Sequence, residues 1–275
     1  MKKGIMLVFL TLIMAIVAGC GAKTNESAGG GFADGEQAKV YKIATDASYA
    51  PMEMMDKDKI VGFDIDFLAE VMKEAGLSYE VVNTGWDPLM TSLESASSEF
   101  AGAISAISIT DERKQTYDFS FPYYESTNMI VSKEGSGIAS ALDLKGKKVA
   151  VQGGTTADEL MTDIMGEGNT DLKKFDNNTL ALMELENGGA EAVVADIAII
   201  REYLKNNPDA KLEGVLDKEN FGVEYYGVMF PKGGELKAKL DPAIKTVIEN
   251  GKYAEVYKKW FGEEPDTKAL LDQMN

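Results

Sequence analysis

The sequence predicts an α/β protein of open sheets, and three observations predict it. From Val40 onward short apolar runs alternate with stretches of helical spacing, the pattern of strands interleaved with helices. About 250 residues remain once a leader is removed, enough for one large domain or two lobes of ordinary size. The chain has one cysteine, so no internal disulfide is available and the core must carry the stability.

The leader comes first. Lys2 and Lys3 open it, residues 5–17 are almost unbroken apolar sequence, and the small Ala18 and Gly19 precede Cys20. A charged start, an apolar run too short for a comfortable span and a small-residue cleavage site describe a secretory signal over residues 1–19. The stretch 21–38 is small and polar and includes Gly29-Gly30-Gly31, so 20–39 is expected to be a flexible tether. No other apolar stretch approaches the ~20 residues of a membrane helix.

Residues 41–45 read as a strand. Asp64 is placed to cap a helix whose apolar positions Ile65, Leu68, Met72 and Ala75 follow helical spacing and stop at Gly76. A strand at 79–82 precedes a helix opened by Asp87-Pro88, with proline at the first helical position. Further strands are expected at 103–109, 129–132, 148–151 and 192–195, and a helix runs from Asp196 through Tyr203. Helices near 236–250 and 253–260 close the chain. Segments 128–132 and 223–230 are extended and about a hundred residues apart, candidates to carry the chain between two lobes.

Composition removes whole classes of function. The formal charge of −17 repels phosphate backbones, so no nucleic-acid partner is expected. With no histidine, Ser-His and Cys-His pairs, His-bearing zinc sites and imidazole acid–base chemistry are all absent. No catalytic residue, metal or cofactor is expected.

Several residues keep two interpretations on local grounds. Gly153-Gly154-Thr155-Thr156 leads into a helix, and Thr156-Ala157-Asp158-Glu159 fits a capping box; amides at such a start also favour an anion. Asp196 suits a helix N-cap or a counter-charge. Arg113 suits a surface salt bridge to Asp111 or Glu112, or a two-pronged clamp on a carboxylate.

A series of motifs in order carries more. They are Thr45-Asp46-Ala47-Ser48-Tyr49-Ala50-Pro51, Val61-Gly62-Phe63-Asp64-Ile65-Asp66, Ser108-Ile109-Thr110-Asp111-Glu112-Arg113 and Phe119-Ser120-Phe121-Pro122-Tyr123-Tyr124. Then follow Asp143-Leu144-Lys145-Gly146-Lys147-Lys148-Val149-Ala150-Val151, Gly154-Thr155-Thr156 and Tyr257-Lys258-Lys259-Trp260-Phe261-Gly262. Together they resemble the polar amino-acid-binding proteins of ABC importers, solute-binding protein family 3, from about Tyr41 to Gly262. Val17-Ala18-Gly19-Cys20 likewise resembles a bacterial lipobox, whose cysteine is acylated, palmitate being typical, and becomes the mature N-terminus.

The resemblance implies a two-lobed type II periplasmic-binding-protein fold, two α/β lobes joined by two hinge strands. Lobe 1 would comprise 40–127 and 226–275, and lobe 2 would comprise 128–225. It implies a monomeric, non-enzymatic receptor, lipid-anchored through Cys20 on the extracytoplasmic face of the cell membrane. An amino acid would be its ligand and an ABC permease its partner, with the ATPase and permease on separate chains.

By family position Arg113 and Thr156 take the ligand carboxylate and Asp196 its ammonium. Ser105, Ala106 and Ser108 offer hydroxyl, carbonyl or amide to the same groups, and Gln152 and Gly154 complete that wall. Asp46, Tyr49 and Trp86 would form the side-chain pocket. Two aromatic faces and an acid suit a cationic side chain, arginine best, each cation–π contact contributing ~0.5–2 kcal/mol. Met52 stands where relatives carry phenylalanine and, with Met54 and Met55, fills gaps or lines the pocket. Ala101 stands where aspartate is common and should matter to a strand edge. A receptor for a neutral polar amino acid such as glutamine or cystine, a dehydratase on the same fold, and a sensor module remain the alternatives.

Overall fold

The computed structural model describes residues 39–95 and 97–274; the leader, Cys20 and nearly all of the tether lie outside the described residues. Among these, two five-stranded sheets form the framework. The first runs in the order Ser78–Asn83, Val40–Thr45, Gly102–Ala103, Met229–Pro231, Tyr117–Phe119. Its first three strands are parallel, and Met229–Pro231 returns antiparallel to both neighbours. The second runs Leu172–Phe175, Val149–Gln152, Ala192–Asp196, Asn128–Lys133, Leu212–Val215. There Asn128–Lys133 is antiparallel to both of its neighbours.

The central strands are apolar on both sides because helices cover both sheet faces. On the first sheet, Phe63–Glu74, Leu236–Glu249 and Lys252–Phe261 bury Phe67, Leu240 and Tyr253 on one side. Trp86–Ser92 buries Trp86 and Leu89 on the other. The second sheet packs Thr156–Met165 through Met161 on one face and Asn178–Glu186 through Leu182 on the other. The molecule is therefore built of two α/β lobes, as the resemblance to the periplasmic-binding proteins implies.

The chain passes between the sheets through an antiparallel pair, Tyr124–Ser126 with Glu224–Tyr226. Of the expected carriers, 223–230 contains the crossing strand Glu224–Tyr226 and runs on into Met229–Pro231 of the first sheet, whereas 128–132 lies just beyond the crossing, in Asn128–Lys133 of the second sheet.

Four local expectations need correction. Asp64 does not cap its helix. Gly62 is the N-cap, and Phe63 and Asp64 donate their amides to the carbonyls of Pro51 and Met52 at 3.0 and 2.9 Å. Those carbonyls belong to or adjoin an antiparallel ribbon, Ser48–Tyr49, Glu53–Asp56 and Lys59–Val61. A Cβ at position 62 would lie 2.0 Å from the Met52 oxygen, so only glycine permits the approach. Trp86, not Asp87 or Pro88, begins the next helix, behind Gly85. Thr155 rather than Thr156 caps its helix, accepting from the Asp158 amide. Finally, only Gly102–Ala103 of the stretch 103–109 and its flank is strand; beyond it the backbone bends, and Ala106 adopts φ +47°.

A candidate ligand cleft between the sheets

Strand ends and the loops beyond them supply the side chains that meet where the two sheets face each other. Tyr49, Trp86, Ser105, Ala106, Ser108 and Arg113 come from the first-sheet side, and Gln152, Thr155, Thr156 and Asp196 from the second. They enclose about 20 Å³, the room of a single water, because they bond to one another across the gap. A solute the size of an amino acid enters only when these bonds part.

Arg113 is buried at 7 % exposure on the short helix Arg113–Thr116. Its guanidinium donates to the carbonyls of Ser108 at 3.0 Å and Gly154 at 3.3 Å, and lies 5.5 Å from the centre of the Trp86 ring. Asp111 pairs with Lys114 instead, so the arginine fork is directed inward. Trp86 Nε1 donates to the same Gly154 carbonyl at 3.2 Å. Gly154 has φ +68° and lies so close to the indole that a Cβ would meet Nε1 at 3.3 Å.

Asp196 ends Ala192–Asp196 and precedes the helix Ile197–Asn206, yet its carboxylate does not cap that helix. It accepts from the Tyr49 hydroxyl of the opposite lobe. Burial, followed by the charge of Glu224, pushes Asp196 up to about 7. Burial and the Asp196 charge in turn push the Tyr49 phenol upward, which keeps it a donor.

Asp46 stands just behind the enclosed space. It accepts from Ser48 Oγ at 2.9 Å and weakly from Gln152 Nε2 at 3.5 Å, while Asn178 donates to Gln152 Oε1 at 2.8 Å. Burial holds the Asp46 carboxyl above its ordinary range.

Sequence comparison decides the family: residues 41–263 match the bacterial extracellular solute-binding proteins, family 3. The chain belongs to that family. Among the relatives of this solute-binding protein is a probable histidine-binding protein of Neisseria gonorrhoeae, 36 % identical over 96 % of this chain and 97 % of the relative. Another is the arginine-binding extracellular protein ArtP of Bacillus subtilis, 32 % identical over 96 % of this chain and all of the relative. Among solved structures, the arginine-, lysine-, histidine-binding protein ArtJ of Geobacillus stearothermophilus superposes with a TM-score of 0.82. It is 54 % identical and covers 85 % of this chain and all of its own.

Three carboxyl groups of the solute-binding protein were not signalled by spacing. Glu53 and Asp64 are fully buried side by side. Ser105 Oγ donates to Glu53 Oε1 at 2.6 Å and itself accepts from the Asp46 amide at 3.0 Å. Asp64 Oδ2 accepts from the Ala106 amide and the Tyr123 hydroxyl, both at 2.8 Å. Glu53 Oε2 and Asp64 Oδ1 are buried without other donors, which suits two carboxyls sharing one proton. Glu53 is pushed well above its usual range by burial and the Asp64 charge; burial raises Asp64 to about 6. The pair thus fixes Ser105 and the left-handed Ala106 at the cleft. The third, Glu224, comes from the crossing strand.

The remaining expectations divide. Met52 is wholly buried in the first-lobe core, and Met55 is exposed, so neither lines the cleft. The Ala101 amide donates to the Lys42 carbonyl at 2.8 Å, a strand-edge position.

Proposed function

We propose that this protein is the extracytoplasmic receptor of an amino-acid ABC importer, anchored by lipid at Cys20, and that it closes on a cationic amino acid, arginine best. Its lobes would be 40–127 with 226–275, and 128–225. Arg113 and the amides opening Thr156–Met165 would hold the ligand carboxylate, and Asp196 the ammonium. Ser105, Ala106 and Ser108, with Gln152, Gly154 and Thr156, would complete the head-group site. Closure would then deliver the loaded receptor to a separate permease.

One observation carries the choice of ligand charge. The zwitterionic head group of any amino acid would meet Arg113 and Asp196, beside which Glu224 is held by Ser108, Thr156 and Asn128, and this leaves Asp46, at the far side of the cleft lining, without a cation. Asp46 is 6 % exposed, and its side chain has only a hydroxyl and an amide as partners. A buried charge without a counter-ion is costly, so a ligand bearing a second cation is favoured over a neutral one. Relatives named for arginine, lysine and histidine support the same choice. A thermal-shift screen of the twenty amino acids tests it. At ~100 times its dissociation constant a ligand adds ~2.7 kcal/mol, so arginine, lysine and histidine should raise the melting temperature most. No shift with any amino acid would remove the proposal.

A further inference from the structure

Glu224 lies on the crossing strand Glu224–Tyr226 and reaches both lobes. Its Oε2 accepts from the Thr156 hydroxyl at 2.9 Å and from the Ser108 hydroxyl, and its Oε1 accepts from Asn128 Nδ2 at 2.6 Å. Ser108 and Thr156 come from opposite sides of the cleft and both line it. A hydroxyl has one proton; once that is given to Glu224, only lone pairs are left to face the cleft. The titratable groups facing Asp196 are Tyr49, Tyr124, Tyr226, Arg113 and Glu224, of which only Arg113 is a cation. The end of the cleft around Asp196 is therefore rich in acceptors and negative charge.

We infer that Glu224 is a positioning residue for the ligand α-ammonium. It holds the Ser108 and Thr156 hydroxyls as acceptors, adds a second negative charge beside Asp196, and so selects amino acids over analogues lacking the α-amino group. The inference rests on the proposed amino-acid ligand but not on the charge of its side chain. It also revises the expectation for Thr156, whose hydroxyl proton is committed to Glu224 and not to a ligand carboxylate.

Calorimetric titration of the full chain with arginine, glutamine and 5-guanidinopentanoic acid, which is arginine without its α-amino group, tests this. Wild type should prefer arginine to the des-amino compound by roughly a hundredfold. Glu224→Gln should lose about tenfold or more of that preference. It should keep the preference for arginine over glutamine, because both carry the α-ammonium, and its midpoint for the pH dependence of arginine binding should move to lower pH. Glu224→Asp, which retains the charge, should recover part of the discrimination. Equal losses for all three ligands in Glu224→Gln, with the pH midpoint unmoved, would overturn the inference and leave Glu224 a hinge brace. A wild type that prefers glutamine to arginine contradicts the cationic-ligand proposal alone, since the arginine pair still reports on Glu224.

Discussion

An α-ammonium arriving at Asp196 meets a carboxyl that, near neutrality, is only partly ionised. Burial and then the Glu224 charge raise that carboxyl to about 7, and in the proposed site the ammonium would pair with its ionised form. Below that value binding must release a proton; above it none is released. Arginine affinity is therefore expected to rise as pH goes from 5 to 7 and to level off by 8. The slope should approach tenfold per pH unit at the acid end. Asp196→Asn should bind weakly with a much flatter profile. Calorimetry in buffers of different ionisation enthalpy reads both the affinity and the proton release. A wild-type profile that is flat from pH 5 to 8 would show that Asp196 does not hold the ammonium.

The cleft wall is set by the joint between the ribbon around Glu53 and the helix Phe63–Glu74, because ribbon carbonyls satisfy the helix amides and free Asp64 to turn inward. Glu53 and Asp64, whose raised pKa values favour one proton between them, tie that joint to Ser105 and Ala106. An acid whose folded pKa lies above its unfolded value binds more protons in the fold. Its contribution is full below about 4 and is lost as pH rises through about 6, the value for Asp64, and beyond. Melting temperature should fall from pH 5 to pH 8. Glu53→Gln keeps an acceptor for Ser105 and a donor for Asp64, so it should melt close to wild type at pH 5 and less pH-dependently above. A Glu53→Gln protein with an unchanged pH slope would contradict the shared proton. Spacing made the core strands and the covering helices legible, since alternation and helical period report which face is buried. It could not show the bend after Ala103, because the group holding Ala106 is Asp64, 42 residues earlier. Glu224 was hidden for the same reason: its partners Thr156 and Ser108 lie 68 and 116 residues away, on segments that no local pattern links to a hinge strand. Arg113 stood out only through its motif and Asp196 only through its family position, because locally a salt bridge and a helix cap fitted as well.

At the scale of the molecule, two sheets are joined by one crossing pair, with bonds from Tyr49 to Asp196 and from Trp86 and Arg113 to Gly154 closing the gap. A ligand that replaces these bonds joins both lobes, so its free energy is spent on closure as well as contact, and closure shifts with occupancy. The chain order that makes this possible, out to the second sheet at 124–126 and back at 224–226, came from the family resemblance and not from periodicity. The central claim is that a buried carboxylate, left over once the head group is balanced, selects a cationic ligand. Competition calorimetry with arginine, lysine, histidine, glutamine and cystine on wild type and Asp46→Asn measures it most directly. Arginine should bind tightest to wild type, and Asp46→Asn should narrow its lead over glutamine by roughly tenfold, the difference between charged and neutral hydrogen bonds. Tighter wild-type binding of glutamine or cystine than of arginine and lysine would contradict the claim.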